Sequence, residues 1–425
     1  MPRPSFLLLV AVGALLGSWN GTAQQYQPKS IQFIGAPGFT DQELLAAAQL
    51  SPGISLTVDA MKEHAKLLLD SGAFDSITFQ FTGVDLRYIL TPSTTLIPIR
   101  LANLPLTAGI ELDAKLHERI PLYHGKVPAE GGLTDQVRGA LEEILAAQGI
   151  KATVEAVATS DAVSKKSAVV FSVTAPPVSV GEIHLDGNSP ALEPKAEQIL
   201  TGLTGTPYDQ EGSSSQIATY LGNYYRDKGY IEAAVAGVPQ YPAVASADAI
   251  RVPFQVSFAP GNQYKIAGVR LSPDLSVTQA DFDRQANIHP GDIADGQRVI
   301  QNWEFIARQY HNRGYMQASI HPAPSFDREK GTVTYDVTAE PGPVYSMGRL
   351  TIENVSDDLR TLILAAWKMP VGSVFNESAI RNLYAIGDAN PALKRIFAAA
   401  DSRYVLHLND ATRTVDVVLR LEKKH

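Results

Sequence analysis

RDKGYIEAAV (residues 226–235) and HNRGYMQASI (311–320) carry the same pattern of basic residue, Gly, Tyr and then an apolar/small alternation, with 85 residues between the two glycines. A catalytic step has no need to be written twice at such a distance, whereas a repeated structural unit does. Gly72 (LLLDSGAFDS), Gly149 (ILAAQGIKAT) and, more weakly, Gly387 (NLYAIGDANP) extend the series, with successive spacings of 77, 80, 85 and 73 residues. Upstream of the glycines the apolar residues have helical period. They are Val58, Met61, Ala65 and Leu68; Val137, Leu141, Ile144 and Leu145; Ile217, Tyr220, Leu221 and Tyr224; and Val299, Trp303, Ile306 and Tyr310. Gly72, Gly149, Gly229 and Gly314 are therefore expected to stop helices in a left-handed conformation, which costs a residue with a Cβ about 1–2 kcal/mol. The tyrosine after the glycine is expected to open a strand.

Downstream the period is two. Ile250, Val252, Phe254, Val256 and Phe258 alternate strictly, and Val169, Phe171 and Val173, Val333, Tyr335 and Val337, and Val415, Val417, Leu419 and Leu421 repeat the pattern. These are strands with one buried face. Pro253, which has no N–H for the ladder, should mark a bulge or strand start. The joints APPVSVGEIHLDGN (175–188), APGNQYKIAGVRLS (259–272) and EPGPVYSMGRLTIEN (340–354) recur as proline, short turn and strand, and leave no room for a flexible linker. A shorter helix is expected after each first strand, at Asp41–Leu50, Pro194–Leu203, Thr278–Asn287 and Asp357–Trp367. The fold class is α+β: a tandem array of about five β-α-α-β-β units, each a three-stranded sheet with two helices on one face, at 28–95, 96–177, 178–261, 262–345 and 346–425.

The 425 residues fit several domains, and an apolar fraction of 45% is that of a globular chain. A net charge of −8 argues against a nucleic-acid partner. Arg3, the apolar run from Phe6 to Leu16 and the small residues before Ala23 read as a secretory signal peptide, 1–23. With no cysteine, neither a disulfide nor a thiolate zinc site can form.

The unit order, the helix ending in Gly-Tyr or Gly-Ala-Phe, and joints such as EPGPVYSMGRLTIEN resemble the polypeptide-transport-associated (POTRA) domains of the outer-membrane protein assembly factor family. The similarity extends over about 28–424, with the third and fourth units the most specific. In that family such repeats precede a membrane β-barrel. Here the fifth unit's last strand, TVDVVLRLEKKH, ends the chain, so the resemblance is to the periplasmic part alone. It implies a non-enzymatic scaffold, exported to the periplasm and associated with the outer membrane. Unfolded outer-membrane proteins or subunits of the assembly machinery would be its partners, with peripheral contact at the outer membrane left open. Two alternatives stay open: the periplasmic half of a split or truncated assembly factor, and an envelope structural adaptor that handles no clients.

No catalytic, cofactor or metal motif is legible. The nine histidines form no His-Glu-x-x-His pair, and neither a Walker loop nor a Gly-x-Ser-x-Gly elbow occurs. Two constellations stand out. Tyr123, His124 and Lys126 lie in PLYHGKVPAEGG (121–132), read as a surface insertion. Tyr220, Tyr224, Tyr225 and Tyr230 read as core packing, with Tyr225 outermost. The resemblance makes the strand after each glycine a sheet edge, where an extended client can add itself. The candidate peptide-binding residues are Ile77 and Phe79, Tyr230, Ile231, Ala233 and Val235, and Tyr315, Met316, Ala318 and Ile320.

Overall fold

The computed structural model describes residues 24–160, 166–187, 189–389, 394 and 400–423; the expected signal peptide lies outside them. The first repeat runs β1 (Ser30–Ile34), α1 (Asp41–Ala47), α2 (Val58–Asp70), β2 (Phe74–Phe81) and β3 (Asp85–Pro92). The second runs β4 (Ile97–Leu101), α3 (Ile110–Arg119), β5 (Lys126–Val127), α4 (Gly132–Ala147), β6 (Thr153–Ser160) and β7 (Ser167–Ala175). The third has β8 (Val178–Leu185), α5 (Pro194–Leu203), α6 (Ser213–Asp227), β9 (Ala234–Gly237), β10 (Val244–Ala245) and β11 (Ile250–Ala259). The fourth has β12 (Lys265–Leu271), α7 (Gln279–Gln285), α8 (Gly296–His311), β13 (Ser319–Asp327) and β14 (Thr332–Glu340). The fifth has β15 (Ser346–Glu353), α9 (Asp357–Ala366), α10 (Ser378–Ala389), β16 (Ala400–Asn409) and β17 (Thr414–Lys423).

Each repeat builds its own small mixed sheet, giving an α+β tandem array. The last strand is central, with the first strand parallel on one side and the strand after the second helix antiparallel on the other. The third sheet follows the same order, with β9 and β10 sharing the far side of β11. Central position explains the strict alternation: Ile250, Val252, Phe254 and Val256 are fully buried, as are Val333, Val169, Phe171 and Val415. The register of β11 against β8 shifts between Val252 and Phe254, so Pro253 sits at a bulge. Gly181 lies opposite it, and a Cβ there would stand 2.9 Å from the proline nitrogen. The same shift recurs beside Gly268 in β12 and Gly348 in β15.

The described residues form two compact units, one of those up to Leu221 with Val235–Phe258, the other of Gly222–Ala234 with those from Ala259 onward. The turn after α6 is thus grouped with the fourth repeat, the one that follows it.

Three readings change. Tyr220 is exposed and Tyr225 buried, because the inner face of α6 follows an i, i+4 row through Ser213, Ile217, Leu221 and Tyr225. Gly387 lies inside α10 rather than after it. The 121–132 segment is not a plain surface insertion: Tyr123 and Val127 are fully buried, and β5 pairs with β4.

Candidate functional site

Gly72, Gly149, Gly229 and Gly314 follow α2, α4, α6 and α8 with φ of +75°, +80°, +87° and +86°, the left-handed region that favours glycine. At three of them the next repeat comes close. A Cβ on Gly72 would lie 2.9 Å from Pro128 Cγ, and the neighbouring Ser71 carbonyl accepts the Leu133 N–H at 2.9 Å. The PAEGG stretch of the 121–132 segment therefore docks on the end of α2. A Cβ on Gly229 would lie 2.7 Å from Ile293 Cγ2, and one on Gly314 2.8 Å from Val374 Cγ1.

The residues that directly follow Gly229 and Gly314 are not strand. Tyr230 to Ala233 and Tyr315 to Ala318 form tight turns, closed by Ala233 N–H to the Tyr230 carbonyl (2.9 Å) and Ala318 N–H to the Tyr315 carbonyl (3.2 Å). Tyr230 packs edge-on against Tyr225, and Tyr315 against Tyr310. Ile231 packs into the core of the fourth repeat, around Tyr264 and Ile266, and Met316 into that of the fifth, around Tyr345 and Met347. This corrects the placing of Tyr230, Ile231, Ala233, Tyr315, Met316 and Ala318 on strand edges; Val235 and Ile320 lie within β9 and β13. The cause is tertiary: β-forming side chains are drawn into the neighbouring core before a strand can start.

The buried Tyr264 donates its hydroxyl to Glu232, which also pairs with Arg328 at 2.6 Å. Tyr345 donates to Asp410 at 2.5 Å, and Gln317 donates to the same carboxylate at 3.1 Å. The hydrogen bond to Glu232 first, then burial, holds the Tyr264 hydroxyl above its ordinary pKa. Sequence reasoning missed these joint residues, though Gly-Tyr-apolar-Glu/Gln occurs at both joints.

On the antiparallel side the outer strands are β2, β6, β13 and β16, each hydrogen-bonded to its central strand alone among the described residues, with β9 and β10 dividing the third edge; β1, β8, β12 and β15 are outermost on the parallel side, as is β5 beyond β4. Ile77 and Phe79 lie on β2, with Ile77 buried and Phe79 half-buried. These edges are chemically unequal. β13 (SIHPAPSFD) keeps unbroken register with β14 through Pro322 and Pro324. Two residues apart, they face the same way, so their missing N–H groups fall on the open side. That edge lacks two donors. β2, β6 and β16, at 8, 8 and 10 residues, contain no proline. β9 and β10, at 4 and 2 residues, are too short to template much pairing.

The only cluster of metal-ligand side chains among the described residues is Glu43, His117 and His124. No helix among them is long and apolar enough to cross a membrane.

Residues 264–340 match the POTRA family model, described as surface antigen variable number repeat. The chain is 22% identical over 216 residues to a Treponema pallidum (strain Nichols) protein named as a candidate outer membrane protein assembly factor, covering 48% of this chain and 26% of the relative. Among solved structures it is similar to POTRA3-5 of Haemophilus influenzae BamA, at 14% identity over 58% of this chain and 96% of that one, TM-score 0.44. POTRA1-3 of the periplasmic domain of Omp85 from Anabaena matches at 17% identity over 59% and 96%, TM-score 0.23.

Proposed function

We propose that this chain, which is a tandem POTRA-domain protein, is a non-enzymatic periplasmic scaffold that holds extended segments of unfolded outer-membrane proteins during their assembly. The observation that supports this is the set of outer strands left open on one side, among them β2, β6 and β16, which run 8 to 10 residues without proline. An unpaired edge offers a row of N–H and C=O groups to any extended backbone, whatever its side chains. Sequence-tolerant pairing suits a handler of many clients. β16 adds apolar grip, since Tyr404, Val405 and Leu408 are exposed along it. Pairing at one edge should be weak, on the order of 0.1–1 mM, because few hydrogen bonds must offset the ordering of a disordered client. Several edges in one chain raise the total through effective concentration. Family and edge chemistry together favour barrel strands as the clients.

The test is photocrosslinking from Thr78 in β2, Val405 in β16 and Ala323 in β13 to an extended barrel-strand peptide. The expected result is capture at Thr78 and Val405 and much less at Ala323. Capture confined to probes on α2, α4 or α8 would reject edge pairing.

A further inference from the structure

Glu43 is the third residue of α1, where its Oε2 accepts the Thr40 N–H at 2.6 Å while the Thr40 hydroxyl accepts the Glu43 N–H. This capping box fixes the carboxylate and leaves Oε1 facing away from the helix. Two imidazoles of the second repeat meet that oxygen. His117 Nε2 stands 3.2 Å from it and His124 Nε2 3.4 Å. His117 is in the last turn of α3, and His124 is in the loop that follows. The ligand atoms of the three residues all lie within 4.8 Å of one another.

The surroundings fix the His117 ring. His117 Nδ1 is 2.9 Å from the Tyr123 carbonyl. A carbonyl only accepts, so Nδ1 carries the proton, and in a neutral ring Nε2 presents a lone pair to the carboxylate. Two electron-rich atoms aimed at each other call for positive charge between them, either a metal ion or the Nε2 proton of an imidazolium. A shared proton would draw N and O to about 2.7–2.9 Å. A tetrahedral metal with bonds of 2.0–2.1 Å instead sets its ligand atoms roughly 3.3 Å apart. The two observed separations bracket that value. The Nδ1–H to carbonyl bond is the outer support that metal-bound histidines use. Tyr123, which supplies the carbonyl, is 1% exposed, and its hydroxyl donates to Asp113 at 2.7 Å, so the loop is anchored. Phe39 meets the His124 ring edge-on at 5.0 Å.

We propose that Glu43, His117 and His124 bind one divalent transition metal of the zinc class, pinning α1 of the first repeat to the insert of the second. Two imidazoles and one carboxylate select such ions over calcium or magnesium, which prefer all-oxygen shells. Both histidine side chains are more than two-fifths exposed, so solvent reaches the ion and supplies the fourth ligand. The site gives the 121–132 segment a function. It reads as no motif because its ligands sit on two repeats. It is independent of peptide binding at the edges.

The test uses the whole chain without a histidine tag, stripped with EDTA and titrated calorimetrically with zinc sulfate alone. One equivalent should bind and raise the melting temperature. Glu43→Gln keeps a side-chain acceptor for the cap and should weaken binding by about tenfold or more. His117→Ala/His124→Ala should abolish it while leaving the metal-free melting temperature close to that of the parent. X-ray absorption of the zinc-loaded chain should show nitrogen and oxygen ligands at about 2.0–2.1 Å. No zinc heat in the parent, or unchanged binding in the folded double variant, overturns the proposal.

Discussion

The Tyr264 amide donates to the Gly229 carbonyl at 2.9 Å, and Tyr345 repeats the bond to Gly314 at 2.8 Å. Gly229 and Gly314 are thus each both a helix stop and the seat of the next repeat. A Cβ on Gly229 would stand 3.0 Å from the Tyr264 oxygen, and one on Gly314 2.9 Å from the Tyr345 oxygen, whereas Gly149 has nothing within 4 Å. Gly149→Ala should therefore cost only the left-handed backbone term, about 1–2 kcal/mol. Gly229→Ala and Gly314→Ala should cost more, and should loosen the repeat that follows as well. Urea denaturation of the three variants checks this; equal losses would show that the contact is easily relieved.

The fourth and fifth repeats are also joined by His311 Nδ1 and Glu377 Oε2 at 3.0 Å. The hydrogen bond from His311, opposed by burial and aided by the charges of His311, Arg381 and Arg308, holds the Glu377 carboxyl below its ordinary pKa. A depressed carboxylate stabilises the fold above its unfolded pKa, near 4.3, and that contribution is lost as pH falls through the folded value. The fifth repeat should lose resistance to urea over the acid window below the unfolded carboxylate value of about 4.3. Glu377→Gln should be less stable at pH 7 and flatter across that window. An identical pH slope in the variant would assign the acid sensitivity to other carboxylates.

What was legible in the sequence is what short range determines. A glycine that must take positive φ and a central strand buried on every second residue leave local marks, and Gly229 and Val252 show both. The turn after the glycine left none. Tyr230, Ile231 and Val235 are strand formers by type, and it takes the core of the fourth repeat to hold Ile231 in a turn. Tyr225 and Tyr220 exchanged roles because they are five residues apart on a helix whose inner row runs through Ser213 and Ile217. The Glu43–His117–His124 cluster joins two repeats, and no spacing rule spans that gap. The edge-blocking effect of Pro322 and Pro324 was visible as composition but needed the register with β14 to acquire a side.

Pro322→Val with Pro324→Val should restore two outward N–H groups to β13. Each replacement should cost about 0.4–1 kcal/mol through the more flexible unfolded chain. The doubly substituted protein should nevertheless gain affinity for extended peptide at β13 or begin to self-associate edge to edge. Peptide titration followed by NMR and sedimentation velocity read the two outcomes. A folded variant that gains neither would mean that something other than the missing donors closes this edge.

Ile231 and Met316 supply the sharpest test of how the repeats hold together. Each belongs by sequence to one repeat and packs in the core of the next. Both are half-buried, so truncation removes only part of a full core contact. Ile231→Ala should cost roughly 1–2 kcal/mol. The distribution of that loss matters more than its size. If Ile231 served its own repeat, exchange of the β11 amides would quicken. Since it packs against the core that holds Tyr264 and Ile266, protection should fall in β12 and β14, with β11 little changed. Met316→Ala should act one repeat further on, at β15 and β17. Hydrogen exchange read by mass spectrometry resolves these segments. Loss of protection in β11 rather than in β12 and β14 would return the Gly-Tyr turn to the repeat that precedes it.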